Sequence, residues 1–161
     1  MKRADLIPTK IISKNEIRRN VEQLRLLSKT IAFTNGVFDI LHQGHIFSLT
    51  QAAKEADVLI VGLNADSSVK KLKGTDRPVN DETSRAIVLA SLVMVDIVVI
   101  FEEDTPLELI KTILPDVLIK GGDYTIEQVA GAQEVIGSGG RVVINPVLEG
   151  YSTTAIIDKL K

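Results

Sequence analysis

The sequence predicts an α/β protein with a Rossmann-like three-layer fold, a five-stranded, mostly parallel sheet covered by helices on both faces. Short β-branched runs alternate with helix-length amphipathic segments, the signature of a βαβ series. Those runs are nearly continuous in Val, Ile and Leu, as strands buried on both faces must be. A chain of 161 residues that is 45% hydrophobic can also bury one core without covalent staples.

Residues 1–29 are expected to form a lead-in helix packed on residues 30–161, giving a single domain overall. Ser13 followed by Glu16 has capping-box spacing, and Ile17, Val21, Leu24 and Leu27 recur at the helical period. The first strand is predicted at 30–34, followed by a helix carrying Ile46, Leu49 and Ala53, and the second strand at 58–63. The stretch 64–81 lacks periodicity and reads as a long loop; Lys70, Lys71, Lys73, Gly74 and Arg77 suit it to phosphate. A helix is expected over about 82–93, then a strand at 97–101 and a helix opened by Thr105, Pro106 and Glu108. The fourth strand is predicted at 117–120, with Thr125 and Gln128 starting the next helix. Gly137, Ser138, Gly139 and Gly140 read as a helix terminator before the last strand at 142–144, rather than as a phosphate cradle. A final helix is expected over about 153–160, and the crossovers should be right-handed.

The chain has no cysteine, so disulfides, thiolate metal sites and cysteine nucleophiles are excluded. Its first residues lack the apolar run of a signal peptide, and no later apolar stretch is long enough to span a bilayer. A cytoplasmic location with no membrane partner is therefore expected. The net charge of −2 gives no support to a nucleic-acid partner, although a local basic patch can hold a small polyanion.

The chemistry is expected where the first strand runs into Thr34-Asn35-Gly36-Val37-Phe38-Asp39-Ile40-Leu41-His42-Gln43-Gly44-His45. Ligands of open parallel sheets bind beyond the carboxyl ends of the strands, and a helix amino terminus there offers free amides to an anion. Gly36 is expected to let the main chain approach the ligand, and Gly44 to leave both exposed imidazoles pointing outward. His42 and His45, three residues apart, share one side of the helix start. Zinc would need a third ligand, for which only carboxylates such as Asp39 are present. Surface or capping histidines are a second reading, weakened because both histidines of the chain fall in this turn. The reading preferred is that both donate hydrogen bonds to phosphate oxygens and stabilise charge that builds up during transfer.

That turn resembles the His-x-Gly-His signature of the cytidylyltransferase-like nucleotidyltransferases. Four further stretches resemble the same family in order: Lys70-Lys71-Leu72-Lys73-Gly74, Arg77-Pro78-Val79-Asn80, Lys120-Gly121-Gly122-Asp123-Tyr124 and Glu149-Gly150-Tyr151-Ser152-Thr153-Thr154. The resemblance covers nearly the whole chain and is strongest to the bacterial heptose 1-phosphate adenylyltransferases, which occur alone or fused behind a sugar kinase. A chain of 161 residues leaves no room for that kinase. The resemblance makes residues 30–161 a nucleotidyltransferase domain that moves AMP from ATP to heptose 1-phosphate. The products are ADP-heptose for lipopolysaccharide core and pyrophosphate, and Mg2+ accompanies the ATP. It implies catalytic roles for His42, His45 and Lys73, and nucleotide contacts from Thr34, Asn35, Gly36, Phe38 and Gly44. Lys120, Gly122, Asp123 and Tyr124 would contact the nucleotide too, with Asp123 facing an exocyclic amine, as would Glu149, Ser152 and Thr153 at the start of the last helix. Asp39 and Arg77 would bind substrate, Asp39 also positioning magnesium through water, and the assembly would be a homodimer or larger. Lys70 and Lys71 read instead as a solvated face.

The chain departs from relatives that transfer CMP to glycerol 3-phosphate. Those carry Arg-Thr where Pro146-Val147-Leu148 stands, and some place a basic residue where Ala155 stands. The heptose branch is therefore preferred over a cytidylyltransferase acting on glycerol 3-phosphate or another phosphate ester. A non-catalytic nucleotide-binding sensor is the alternative from another class, disfavoured by the presence of both histidines and Lys73.

Overall fold

The computed structural model describes residues 4–159. Five strands, β1 (Ile31–Gly36), β2 (Val58–Asn64), β3 (Ile97–Phe101), β4 (Val117–Gly121) and β5 (Arg141–Asn145), form one sheet in the order β3-β2-β1-β4-β5. All four pairings are parallel, with Phe33 level with Ile60 on one side and Leu118 on the other. From β1 the chain builds outward through β2 and β3, then returns to add β4 and β5 on the other flank. The switch point lies between β1 and β4, where open sheets bind ligands beyond the strand ends.

Alternation along the strands divides the core between two faces. Phe33, Ile60, Val99 and Leu118 face one layer, with Ile17 and Val21 of α1 (Lys14–Leu26), Ile110 of α5 (Leu107–Ile113) and Val135 of α6 (Ala132–Gly137). Ala32, Leu59, Val61 and Ile119 face the other, with Leu49 of α2 (Gln43–Ala53) and Leu89 of α4 (Glu82–Ala90). Side chains of this size contribute about 1.5–3 kcal/mol each on full burial, so the sheet is the mechanical base for its loops. No helix among the described residues is long and apolar enough to cross a membrane.

The local signals mostly hold. Ser13 and Glu16 form the capping box of α1, with the Ser13 amide donating to the carboxylate at 3.1 Å. Asp81 caps α4, accepting from the Ser84 amide at 2.7 Å, and that helix stops at Ala90, short of the expected 93. Gly139, at φ +91°, and the Gly140 amide donating back to the Val135 carbonyl terminate α6 as expected.

Four expectations are corrected. Residues 64–81 are not all loop, because α3 (Asp66–Lys73) lies within them, seating Val69 in the interior before Gly74 at φ +96° ends it. Thr105 does not open α5, whose first residue is Leu107 after Pro106. The Thr125–Gln128 box closes only a 3-10 turn (Ile126–Gln128), and the following α-helix, α6, begins at Ala132. Leu27 lies past the end of α1 and is 70% exposed, because the chain turns at Ser28 with φ +55°. The last helix, α7, covers Thr153–Asp158, and residue 160 lies outside the described residues.

At the amino-terminal edge of the sheet, three aspartates tie strand starts together. Asp57 accepts from the Thr30 amide at 2.9 Å, Asp96 from the Leu59 amide at 2.8 Å and Asp116 from the Ile31 amide at 2.7 Å. Asp116 also takes Arg25 of α1 at 3.1 Å. These bonds to the amide of Thr30 and to its hydroxyl hold the Asp57 carboxyl below its usual range.

Candidate active site

At the opposite edge, β1 delivers Thr34, Asn35 and Gly36 to the switch point, and the chain then turns into α2 with His42 in the capping position. His42 makes no side-chain cap bond, while its carbonyl accepts from the His45 and Ile46 amides. The Gln43 and Gly44 amides therefore start the helix without an intrahelical partner, at the positive end of its dipole.

The two imidazoles stack on each other, centroids 3.9 Å apart at 28°, rather than both pointing outward. Phe38, at φ +46°, lays its ring 5.3 Å from that of His45. A Cβ on Gly36 would meet the Phe38 ring at 2.9 Å, and one on Gly44 would meet the His42 ring at 3.0 Å and Tyr151 at 3.1 Å. Both glycines thus make room for aromatic neighbours, and both line the clefts at this edge.

His45 is half-buried rather than exposed, and burial first, with repulsion from His42 second, pushes its imidazole down to about 4. Burial lowers His42 as well. Burial thus favours the neutral form of both rings, in which each has one donor nitrogen and one acceptor nitrogen. Both Nδ1 atoms are buried and have no hydrogen-bond partner among the described residues. Such orphaned polar atoms call for a ligand or water to complete them.

Three clefts follow one another along this edge. The outermost, about 480 Å³, is walled by Asn64, Lys73, Asp104, Thr105, Tyr124 and Gln128. It shares Asn35, Gly36, Val37 and Lys120 with a second of about 190 Å³, which also takes in Thr34, Phe38, His45 and Ser48. That second cleft shares His45, Ser48 and Gly121 with a third of about 220 Å³, where His42 and Gly44 face Pro146, Val147, Leu148 and Tyr151. The result is a groove with lysines at one end, neutral imidazoles at the centre and an apolar slot at the other end. Lys120, half-buried, has its ammonium 5.2 Å from the Tyr124 ring, and burial lowers its pKa.

Of the residues singled out in the sequence, Thr34, Asn35, Gly36, Phe38, His42, Gly44, His45, Lys73, Lys120 and Tyr124 line this groove. Gly122, at φ +116°, instead turns the chain and donates its amide to the Asn145 carbonyl at 3.3 Å. Asp123 and Glu149 are exposed and line none of the three clefts. Ser152 caps α7, accepting from the Ala155 amide at 3.4 Å, and Thr153 donates to the Ile40 carbonyl at 3.3 Å.

Asp39 and Arg77 lie outside the groove and engage each other. The Asp39 carboxylate, 4% exposed, accepts from Arg77 Nε at 2.8 Å and from the Val79 and Asn80 amides at 2.9 Å each. Desolvation raises its pKa, but those bonds outweigh it and leave the carboxyl below its usual range. The carboxylate thus holds residues 77–80 against the β1–α2 turn. Among the described residues, no three His, Cys, Asp or Glu side chains converge as a metal site.

Arg85 carries no motif signal in the sequence. It is 2% exposed and donates to the carbonyls of Asn80 at 2.9 Å, Val37 at 2.7 Å and Asn64 at 2.8 Å, and to Asp66 at 2.7 Å. One guanidinium thus pins the turn after β1, the end of β2 and the start of α3. The available signal was a basic residue among Ala86, Leu89 and Ala90 on the buried face of α4. Ser48, three residues beyond His45 on the same helix face, was legible by the same spacing that paired the histidines. Tyr151 was not, since its hydroxyl donates to Gln43 Oε1 at 2.6 Å across 108 residues of chain.

Residues 33–159 match the cytidylyltransferase-like family. Proteins named bifunctional protein HldE are similar: that of Rhodospirillum rubrum is 53% identical over 152 residues, covering 94% of this chain and 31% of the relative. That of Caulobacter vibrioides is 54% identical over 151 residues, with the same two shares. The chain thus spans about a third of the length of these relatives. Among solved structures, the lipopolysaccharide core biosynthesis protein from Thermoplasma volcanium superposes with a TM-score of 0.60 at 28% identity, covering 77% of this chain and 99% of its own. A pantoate-beta-alanine ligase from Francisella tularensis reaches a TM-score of 0.61, covering 86% of this chain and 67% of its own, and at 16% identity it shares the fold alone. Because the family match runs from the middle of β1 to the end of α7 and takes in every residue that lines the groove, the chain belongs to the cytidylyltransferase-like family of nucleotidyltransferases.

Proposed function

We propose that the chain transfers AMP from ATP to heptose 1-phosphate, releasing pyrophosphate and forming ADP-heptose for lipopolysaccharide core. The observation that carries this reading is the stacked pair His42 and His45, which line adjoining clefts beside the free amides at the start of α2. Two neutral imidazoles and a helix amino terminus form an anion cradle with donors already in place. A phosphate oxygen of the sugar 1-phosphate attacks the α-phosphorus in line, the bond to the bridging oxygen breaks, and its electrons leave with pyrophosphate. No covalent enzyme intermediate is needed. Bound phosphate charge raises both imidazole pKa values from their depressed starting points, strengthening the donors as charge moves onto the leaving group. Lys73, at the rim of the outer cleft, neutralises phosphate charge.

Magnesium would arrive as the ATP chelate, as part of the substrate. There it would neutralise the leaving pyrophosphate. The lipopolysaccharide assignment draws support from the name of the Thermoplasma volcanium protein, and the choice against the glycerol branch from the apolar Pro146, Val147 and Leu148 wall, which carries no arginine. Pyrophosphate release measured with ATP and with CTP, each against heptose 1-phosphate and glycerol 3-phosphate, tests the reading. Turnover with ATP and heptose 1-phosphate is expected. Turnover confined to CTP with glycerol 3-phosphate would replace it with the cytidylyltransferase alternative, and ATP binding without turnover on any acceptor would favour a sensor.

A further inference from the structure

We propose that Lys120 is a catalytic residue that sits between the two reacting phosphates, its ammonium offsetting the repulsion between the acceptor phosphate and the α-phosphate of the nucleotide. This rests on the transfer reading above and gives Lys120 a role different from contact with the nucleobase.

The placement comes from the topology. Lys120 is the penultimate residue of β4, level with Ile144 of β5, at the flank of the switch point. It lines both the 480 Å³ and the 190 Å³ clefts. The other residues common to the two are Asn35, Gly36 and Val37, so Lys120 is the one cation at their junction among the described residues. Lys73 borders only the outer cleft, where Asp104 also lies. Nor does Lys120 line the slot formed by Pro146, Val147, Leu148 and Tyr151, whose apolar wall suits a ring better than a phosphate.

Among the described residues, no carboxylate lies within ion-pair distance of Lys120. Its neighbour is the face of Tyr124, at 5.2 Å. Burial lowers its pKa, as expected for an ammonium set in a cleft without a counter-ion. A half-buried cation without a fixed partner, at the junction of two clefts, is a receptor for anionic charge from both sides.

The reaction requires such a charge. Two phosphates must approach to bonding distance, and their repulsion at about 4 Å grows roughly fourfold when the effective dielectric falls from that of water to about 20. Lys120 keeps its proton throughout. The new bond joins an acceptor oxygen to the α-phosphorus, the bond to the bridging oxygen breaks, and that electron pair leaves on pyrophosphate.

The test compares wild-type protein with Lys120→Ala and Lys120→Arg, after thermal melts show that each variant folds. For Lys120→Ala, we expect kcat/KM for the sugar 1-phosphate to fall about 100-fold, with an acceptor KM about tenfold higher and the Kd for ATP within about threefold of wild type. Lys120→Arg should recover at least about a tenth of the wild-type value, because it keeps the charge. In parallel, inorganic phosphate is titrated while the Lys120 side-chain NMR signal is followed, identified by its loss in Lys120→Arg; a saturable shift is expected. If wild type turns over and the acceptor KM of Lys120→Ala stays within about threefold, the Lys120 role is overturned and the transfer reading stands. If wild type turns over no sugar 1-phosphate, the transfer reading fails, and the titration judges Lys120 alone. An unresponsive signal overturns it, and a saturable shift upholds its contact with phosphate.

Discussion

The two edges of the sheet treat their polar groups in opposite ways. At the amino-terminal edge, Asp57, Asp96 and Asp116 each accept from a strand-start amide, and Arg25 completes the last of them. At the carboxyl-terminal edge, the Nδ1 atoms of His42 and His45 are buried without partners, and Lys120 has no carboxylate among the described residues. Satisfied groups at one edge lock strand register, whereas unsatisfied groups at the other are held ready for something the fold does not itself supply. A buried unpaired group costs about 1–3 kcal/mol, so the second edge gives up stability that a ligand can return. Arg85 sharpens the contrast, because it belongs to the functional edge yet has carbonyl or carboxylate partners for its donors and should behave like the structural one.

The largest effect is therefore expected at Arg85. Arg85→Met strands three carbonyls and Asp66, and should cost about 3–5 kcal/mol in chemical denaturation, as breaking a buried ionic network does. A loss below about 1 kcal/mol would place Arg85 outside the set of groups that hold the fold. His45→Ala should do the reverse. Turnover falls about 10²–10³-fold as a phosphate donor is lost, while the melting temperature moves by no more than about 4 °C, because an unsatisfied atom leaves with the ring. Near-normal pyrophosphate release from a strongly destabilised variant would make the histidine structural instead.

Asp116→Ala is the matching change at the structural edge. It removes the partner of the Ile31 amide and should cost about 1–3 kcal/mol, with kcat per folded molecule unchanged. The smallest expected effect is on pH dependence. The His45 pKa is depressed to about 4 from 6.5, so between those values the unfolded chain holds more protons than the folded one. The stability this contributes is complete above pH 6.5 and is lost as pH falls toward 4, by about 1–2 kcal/mol once screening of the half-exposed ring is allowed for. His45→Asn should flatten that slope in denaturation curves collected across the window, and an unchanged slope would assign the acid loss to other groups.

The same contrast explains what was legible in the sequence. Residues 97–101 are strand because contiguous Ile and Val have only one environment in a parallel sheet. Ser13 with Glu16 is legible because a capping box is a bond between near neighbours. The histidine turn was legible for the same reason, its pair lying within one helical turn. By contrast, α3 has eight residues and only one buried large apolar side chain, Val69, too short a stretch to show a period. Asp39 has the right residue type to face a substrate, and only the fold brings residues 77–80 back to consume its carboxylate. Gly36 and Gly44 mark close approaches in the sequence, but that the rings of Phe38, His42 and Tyr151 make them is visible only in the fold. Local bonds are written in local sequence, whereas partners supplied from 40 or 100 residues away are not.

The most direct test uses the fact that the chain has only two histidines. Long-range 1H–15N NMR of both imidazoles, collected at pH 7 before and after adding magnesium-ATP, reads their protonation and hydrogen bonding without crowding from other rings. In free protein both rings should be neutral. On nucleotide binding both should shift together toward the hydrogen-bonded, more protonated form, with the His45 pKa rising from about 4. Saturable ATP binding that leaves both imidazoles unchanged would contradict the claim that this edge is completed by phosphate.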